Sequence, residues 1–590
     1  MAIRRLALAL AIPLAAWTYQ RYISNTYVVC SNDRGIYTVD ESMPNVACIS
    51  IHNTRIAAVG ELDDVLDQSF NVLPAFFAHP WVASFFRILL SQRVKYIPNN
   101  TIIVPGLADA HAHVLENGYM KQLPLTGATS VQDVVHLVKH YIDDHPEIRD
   151  NPSRWVEGMG WDQTKWPGQA FPTASDLDQD PLLKGRPILL SRVDGHARWV
   201  SSAILEMMGE LPDHVEGGEI LRYSDGRPTG LFVDNAMGLI PAPTWTNEQM
   251  LGFYHTTMKE ALSVGLTSIH DAASQPHHIE FLRFQAEKGT LPIRLYLMGY
   301  SERDEYWGNK IPRLINYGKH SRLNLRSVKL FSDGALGSWG AALLQPYSDK
   351  PGTRGLMLAT VEHLSRLVHR FHKDGWQVNV HCIGDRANRV ILDIFEEVLE
   401  GEGGKAKVNI TEWRPRIEHA QIFSPTDLER IGRLGVIASV QPTHATSDMW
   451  YAERRLGPER IKGAYAYRTL LDSSPNKMIA LGSDFPVESV NPLLGFYAAV
   501  SRLSVDGKSP HGPNGWYPQQ RLTRAQALKG MTLDAAYASF AEDDLGSLVP
   551  GKKADFVVLN RDIMKIPVQE IPLTTVLTTF VDGAIMYGNL

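Results

Sequence analysis

An α/β architecture built on a (β/α)8 TIM barrel is what this chain predicts, and three observations predict it. Eight short apolar runs, at 101–105, 266–270, 293–298, 327–331, 377–381, 416–419, 436–440 and 478–482, alternate with longer helical stretches such as Glu362 to Asp374 and Pro425 to Leu434. Repeated βα units imply a parallel sheet, and eight of them suggest one closed into a barrel. Ionisable side chains recur where these runs end, the face on which such a barrel carries its chemistry. Separate β-rich segments stand near both chain ends. The expected whole is a barrel over 105–540 with a large insertion at 114–265 after barrel strand 1, and a small β-sandwich domain assembled from 26–104 and 541–590.

The 590 residues are 44% hydrophobic and 21% charged, ordinary globular composition with length for more than one domain. A formal charge of -6 without a long basic run gives no reason to expect nucleic acid as a partner. At the N-terminus, Arg4-Arg5 precedes an uncharged run from Leu6 to Gln20, interrupted by Pro13. Residues 1–25 therefore read as a signal peptide or a short signal anchor. The run is shorter than the ~20 apolar residues of a comfortable spanning helix. The expected location is the secretory pathway, secreted or membrane-anchored through the N-terminus; the alternative is a cytoplasmic protein with a buried N-terminal helix. Cys30, Cys48 and Cys382 make no disulfide framework, and Cys30 and Cys48 either pair in an oxidising lumen or remain two thiols. Asn99-Asn-Thr101 and Asn409-Ile-Thr411 fit the glycosylation pattern.

After the leader, Tyr27–Cys30, Ala47–His52 and Arg55–Gly60 read as short strands, matched at the far end by Gly546–Leu559 and Val576–Met586. Between them an apolar insert, 66–95, contains the aromatic stretch Leu73–Leu90, a packing helix or a helix resting on a membrane face. The insertion at 114–265 is too long for one crossover and rich in Trp, Pro, Asp and Gly. Leaving the C-terminal end of strand 1, it is expected to form the lid and substrate pocket.

Strand 1 leads through Pro105-Gly106 into His111-Ala-His113, and residues i and i+2 of a strand face one side. Both imidazoles can therefore aim at one divalent metal. Strand 4 carries Lys329, strand 5 ends in His381, strand 6 in His419 and strand 8 in Asp484. Each alone reads as a structural histidine, a helix cap or a turn. Lys329 is the odd one, because an unpaired ammonium is costly to bury. It needs a counter-charge, or carbamylation by CO2 into an anionic bridging ligand.

This set, His-x-His with Lys, His, His and Asp on strands 4, 5, 6 and 8, resembles the amidohydrolase superfamily. Gly-Leu-Ala-Asp-Ala-His-Ala-His, Lys-Leu-Phe-Ser-Asp-Gly-Ala-Leu-Gly-Ser, His-Cys-Ile-Gly-Asp-Arg-Ala and Gly-Ser-Asp-Phe-Pro-Val look like its amidohydrolase-3 branch, which includes YtcJ-like proteins and N-substituted formamide deformylases. The resemblance implies two divalent metals, zinc with manganese or iron as alternatives. His111, His113 and Asp484 would hold one, His381 and His419 the other, and carbamylated Lys329 would bridge them. It further implies hydrolysis of a non-peptide C–N bond in an amide, formamide or cyclic amide, with Asp484 as general base towards metal-activated water. Trp161, Asp162, Asp194, His196 and His270 are candidate contacts for the small-molecule substrate. Trp339 stands where relatives often have Arg, so the resemblance does not carry substrate identity. Two alternatives stand beside this reading: a single-metal deaminase of an amino-heterocycle, and a non-catalytic, membrane-tethered binding or regulatory protein. A homodimer is a further expectation.

Overall fold

The computed structural model describes residues 25–69, 87–300, 305–401 and 408–590. The expected leader and residues 70–86 of the apolar insert lie outside them. Among the described residues no helix is long and apolar enough to cross a membrane. The chain divides into two compact units: one takes in residues up to 108, 260–268 and 523–590, the other 109–259 and 269–522.

The first unit is a β-sandwich drawn from both chain ends. A four-stranded sheet runs in the order Arg55–Gly60, Cys48–His52, Thr26–Cys30 and Val94–Tyr96. A six-stranded sheet runs Ala584–Gly588, Val576–Val581, Phe556–Leu559, Ile102–Pro105, Ile36–Tyr37 and Asn45–Val46. Period-2 side chains from the two sheets share one interior, with Val29, Ile49 and Ile51 from the first and Ile103, Phe556, Val558 and Phe580 from the second. Cys30 and Cys48 stand opposite each other on adjacent antiparallel strands and are joined as a disulfide. Leu90, the described end of the apolar insert, packs with Val65 and Leu66 against that disulfide.

The run 101–105 is a sandwich strand and not the first barrel strand: Ile102–Pro105 pairs antiparallel with Phe556–Leu559. The barrel strand is the next apolar run, Leu107–Ala112, beyond the Pro105-Gly106 break. Both runs are buried along their whole length, so hydrophobicity does not tell which sheet takes which.

We number the barrel strands β1 (Leu107–Ala112), β2 (Leu266–Ser274), β3 (Arg294–Gly299), β4 (Leu323–Phe331), β5 (Gln377–His381), β6 (Arg416–Glu418), β7 (Ile437–Val440) and β8 (Ala480–Leu481). They lie side by side in chain order. The pairings from β3 through β8 are all parallel, as the alternating βα pattern requires. The ring is drawn together where β8 ends: Asp484 N–H donates to the His111 carbonyl at 2.7 Å and His113 N–H to the Phe485 carbonyl at 2.8 Å. The insertion after β1 folds around a five-stranded sheet of its own, including Val156–Trp161 and Ile188–Arg192, with Trp161, Trp166 and Trp199 in its core.

Candidate metal centre

The site begins with the alternation of β1, which turns Asp109, His111 and His113 to one side. Asp109 is a spacer between strands. Its carboxylate accepts the His111 N–H at 3.1 Å and the Ser483 hydroxyl at 2.6 Å, so the residues that carry His111 and Asp484 are tied together. Asp484 and His419 both adopt left-handed backbone, with φ 62° and 70°, as each chain segment turns sharply off its strand.

All six expected ligands line one cavity of about 1170 Å³. His111 Nε2 lies 3.5 Å from Asp484 Oδ1 and 3.3 Å from Lys329 Nζ. His113 Nε2 lies 3.0 Å from the same Asp484 oxygen. The His419 ring is 4.7 Å from that of His111 and 4.5 Å from that of His381. Donor atoms of His111, His419 and Asp484 fall within 4.8 Å of one another. His381 Nε2 is buried and has no hydrogen-bond partner, and its nearest carboxylate oxygen, on Asp333, is 3.7 Å away. A buried nitrogen left over beside imidazoles and a carboxylate fits a divalent cation.

The electrostatics favour neutral imidazole at three of the four histidines; at His113 burial opposes the charge, but the Asp484 hydrogen bond and charge outweigh it and raise the group. Burial, reinforced by the other cationic groups around them, holds His381 and His419 well below the ordinary histidine value. Burial and Lys329 lower His111 to about 4. Neutral imidazole is the form that ligates metal. Burial works against the charge of Asp484, but the His113 hydrogen bond and neighbouring histidines outweigh it and hold the carboxyl well below its usual range. Burial lowers Lys329 to about 8, against the opposing pull of Glu418 and Asp484.

Several residues that position the centre were not foreseen. Glu418 Oε2 receives His111 Nδ1 at 2.5 Å, which turns Nε2 to the cavity. Arg416, fully buried two residues earlier, holds Glu418 at 2.6 Å and also bonds the Ala110 carbonyl at 2.7 Å. Gln441 Oε1 receives His419 Nδ1 at 3.0 Å. Asp333 gathers the N–H groups of Ala342, Ile383 and Gly384 at 2.9, 3.0 and 2.7 Å, fixing the loops after β4 and β5. His444 brings Nε2 to 3.6 Å from Asp484 and stacks on His419 with an interplanar angle of 10°. The pair Arg416 and Glu418 carried a signal, since two charges at i and i+2 in an apolar strand must share a buried face. His444 lies on the helix Pro442–Asp448, beyond the end of β7 and not directly after it, and carried none.

Of the candidate substrate contacts, Asp162, Asp194 and His196 line the cavity. The two aspartates clamp Arg192, which bonds Asp162 at 2.7 Å, Gln163 at 2.7 Å and Asp194. His196 Nδ1 meets Asp234 Oδ1 at 2.7 Å, and its ring stands 5.1 Å from that of His381. Trp161 and His270 do not reach the cavity, which corrects the expectation of a substrate contact. Trp161 is fully buried in the insertion core with its indole N–H on the Leu190 carbonyl. His270 is buried inside the barrel, 3.1 Å from Arg416.

The chain is 32% identical to "Protein LONG AFTER FAR-RED 3" of Arabidopsis thaliana, over 94% of this chain and 90% of that one. It is 25% identical to the N-substituted formamide deformylase of Arthrobacter pascens, over 82% of this chain and 88% of that one. A crystal structure of a metal-dependent hydrolase from Pyrococcus horikoshii superimposes with a TM-score of 0.68 at 25% identity, covering 92% of this chain and 99% of that one. The Amidohydro_3 profile, described as the amidohydrolase family, matches residues 99–587, and with the barrel and its histidine–aspartate centre in place the chain belongs to that family of metal-dependent hydrolases.

Proposed function

We propose that this protein hydrolyses the C–N bond of a small non-peptide amide, with N-substituted formamides as the first class to test. The observation that carries the reading is Lys329, buried among the histidines with Nζ 3.3 Å from His111 Nε2. With burial lowering it to about 8, about a tenth of the amine is neutral at pH 7, far more than at the ordinary lysine value. A neutral amine adds to CO2, forming an N–C bond and releasing one proton, and the carbamate so formed would be an anionic ligand for divalent metal. His111, His113 and Asp484 would hold one metal ion, His381 and His419 the other. When bound, divalent metal there supplies Lewis acidity to the substrate carbonyl and acidifies water. Asp484, kept ionised by its histidine neighbours, takes the proton of the attacking water and delivers it to the leaving amine nitrogen. His196, with Nδ1 fixed by Asp234, offers its other ring nitrogen to the substrate.

Support for the substrate class comes from the formamide deformylase relative, and its test is direct. The purified chain, incubated with N-formyl and N-acyl amines, is expected to release free amine and to contain about two metal ions. Lys329→Ala is expected to lose both metal and turnover; a variant that keeps both rules out the bridged pair. The tight grouping of His111, His419 and Asp484 favours a second reading, a single-metal deaminase, which about one ion per chain and ammonia release from an amino-heterocycle would establish instead.

A further inference from the structure

Two features of the molecule are unused by catalysis, and they point to one conclusion. The first is the buried disulfide between Cys30 and Cys48, with the two residues 0% and 2% exposed. Disulfides form and persist in oxidising compartments and are rare in the cytosol. Upstream, Arg4-Arg5 precedes the apolar run from Leu6 to Gln20, the charge order of a segment that leaves its N-terminus in the cytosol. The second is the placement of two Asn-x-Thr sequences. Asn99 is exposed on the turn between strands Val94–Tyr96 and Ile102–Pro105. Its amide oxygen accepts Asn32 Nδ2 at 3.1 Å, a bond that engages Oδ1 and not the Nδ2 that glycosylation uses. Asn409 is exposed at the start of the helix Ile410–Trp413. Its Oδ1 accepts the N–H and hydroxyl of Thr411 at 3.1 and 2.8 Å, and its Nδ2 makes a surface bond to Glu412 at 2.9 Å. Neither asparagine is among the residues lining the catalytic cavity.

We infer that Asn99 and Asn409 are N-glycosylation sites, and that the chain from residue 25 onward faces the lumen of the secretory pathway. In the transfer, asparagine Nδ2 bonds to the anomeric carbon of a lipid-linked oligosaccharide diphosphate. The sugar–phosphate C–O bond breaks, the lipid diphosphate leaves and the amide gives up one proton. The inference stands apart from the hydrolase reading, since neither asparagine lines the cavity of the candidate ligands.

The test uses the full chain expressed in a eukaryotic cell. Endoglycosidase treatment of the wild type is expected to increase gel mobility in two steps. Asn99→Asp and Asn409→Asp each remove one step, and the double variant removes both. Aspartate keeps the Oδ1 acceptor that each site uses in the fold, so loss of sugar is separated from loss of structure. A variant that leaves the banding unchanged overturns its site, and enzyme-insensitive wild type overturns both. Thiol trapping in denatured, unreduced protein gives an independent readout of topology: Cys382 alone is expected to react, and labelling of Cys30 and Cys48 overturns the lumenal assignment.

Discussion

Glu418 and Arg416 show how much of this candidate centre is decided by residues that do not line its cavity. Both are fully buried, and their ion pair at 2.6 Å sits beneath the metal centre with Glu418 aiming His111. Removing one partner of such a pair strands the other charge in low dielectric, which costs about 3–5 kcal/mol. Glu418→Ala is therefore expected to lower unfolding stability by that amount in a denaturant titration. It also removes the acceptor that orients His111, for which about 10–100-fold weaker metal binding is expected in a chelator competition. The double change Arg416→Met with Glu418→Leu should restore most of the stability but not the metal affinity. If both variants lose stability equally, the pair holds the fold by packing and not by charge.

At the scale of elements, the loops after β4 and β5 form one body around Asp333. Gly384 is the point of closest approach: a Cβ there would stand 1.9 Å from the Ala342 carbonyl oxygen and 2.5 Å from its carbon. The φ of Gly384 is -73°, so glycine is needed for space and not for backbone freedom. Gly384→Ala is expected to cost about 1–3 kcal/mol, the usual range for overpacking, and to depress turnover by shifting the loop next to His381. Gly252, inside the helix Asn247–Ser263 with open space around it, is the control: Gly252→Ala should be neutral or stabilise by up to about 1 kcal/mol in the same melt. The strand ends were legible in the sequence because an ionisable side chain directly after an apolar run has few structural excuses, and all six such residues line one cavity. The interval 101–112 was misassigned for the opposite reason, since two adjacent buried runs carry no mark of which sheet receives them. The partners of the ligands, Gln441 and His444 above all, were illegible because they meet the centre only through tertiary contact.

At the scale of the molecule, each unit is assembled from pieces distant in sequence, and the sandwich is the one that needs its ends held. Its six-stranded sheet takes strands from before residue 106 and after residue 555, so the pairing of Ile102–Pro105 with Phe556–Leu559 closes a loop spanning most of the chain. The Cys30–Cys48 bond, with a sequence separation of 18, ties together the paired strands Thr26–Cys30 and Cys48–His52. By the chain-entropy argument a bridge of this span stabilises by about 3 kcal/mol. The six candidate ligands all lie in the other unit. Cys30→Ala with Cys48→Ala is therefore expected to lower the thermal midpoint of the sandwich while leaving metal content per folded chain unchanged. Reductant should destabilise the wild type only when added under conditions that open the structure, because both sulfurs are shielded from solvent. Scanning calorimetry with and without reductant, alongside metal quantification, measures both quantities on one sample. Loss of metal per folded chain in the double variant would overturn the expectation that the disulfide acts on stability alone.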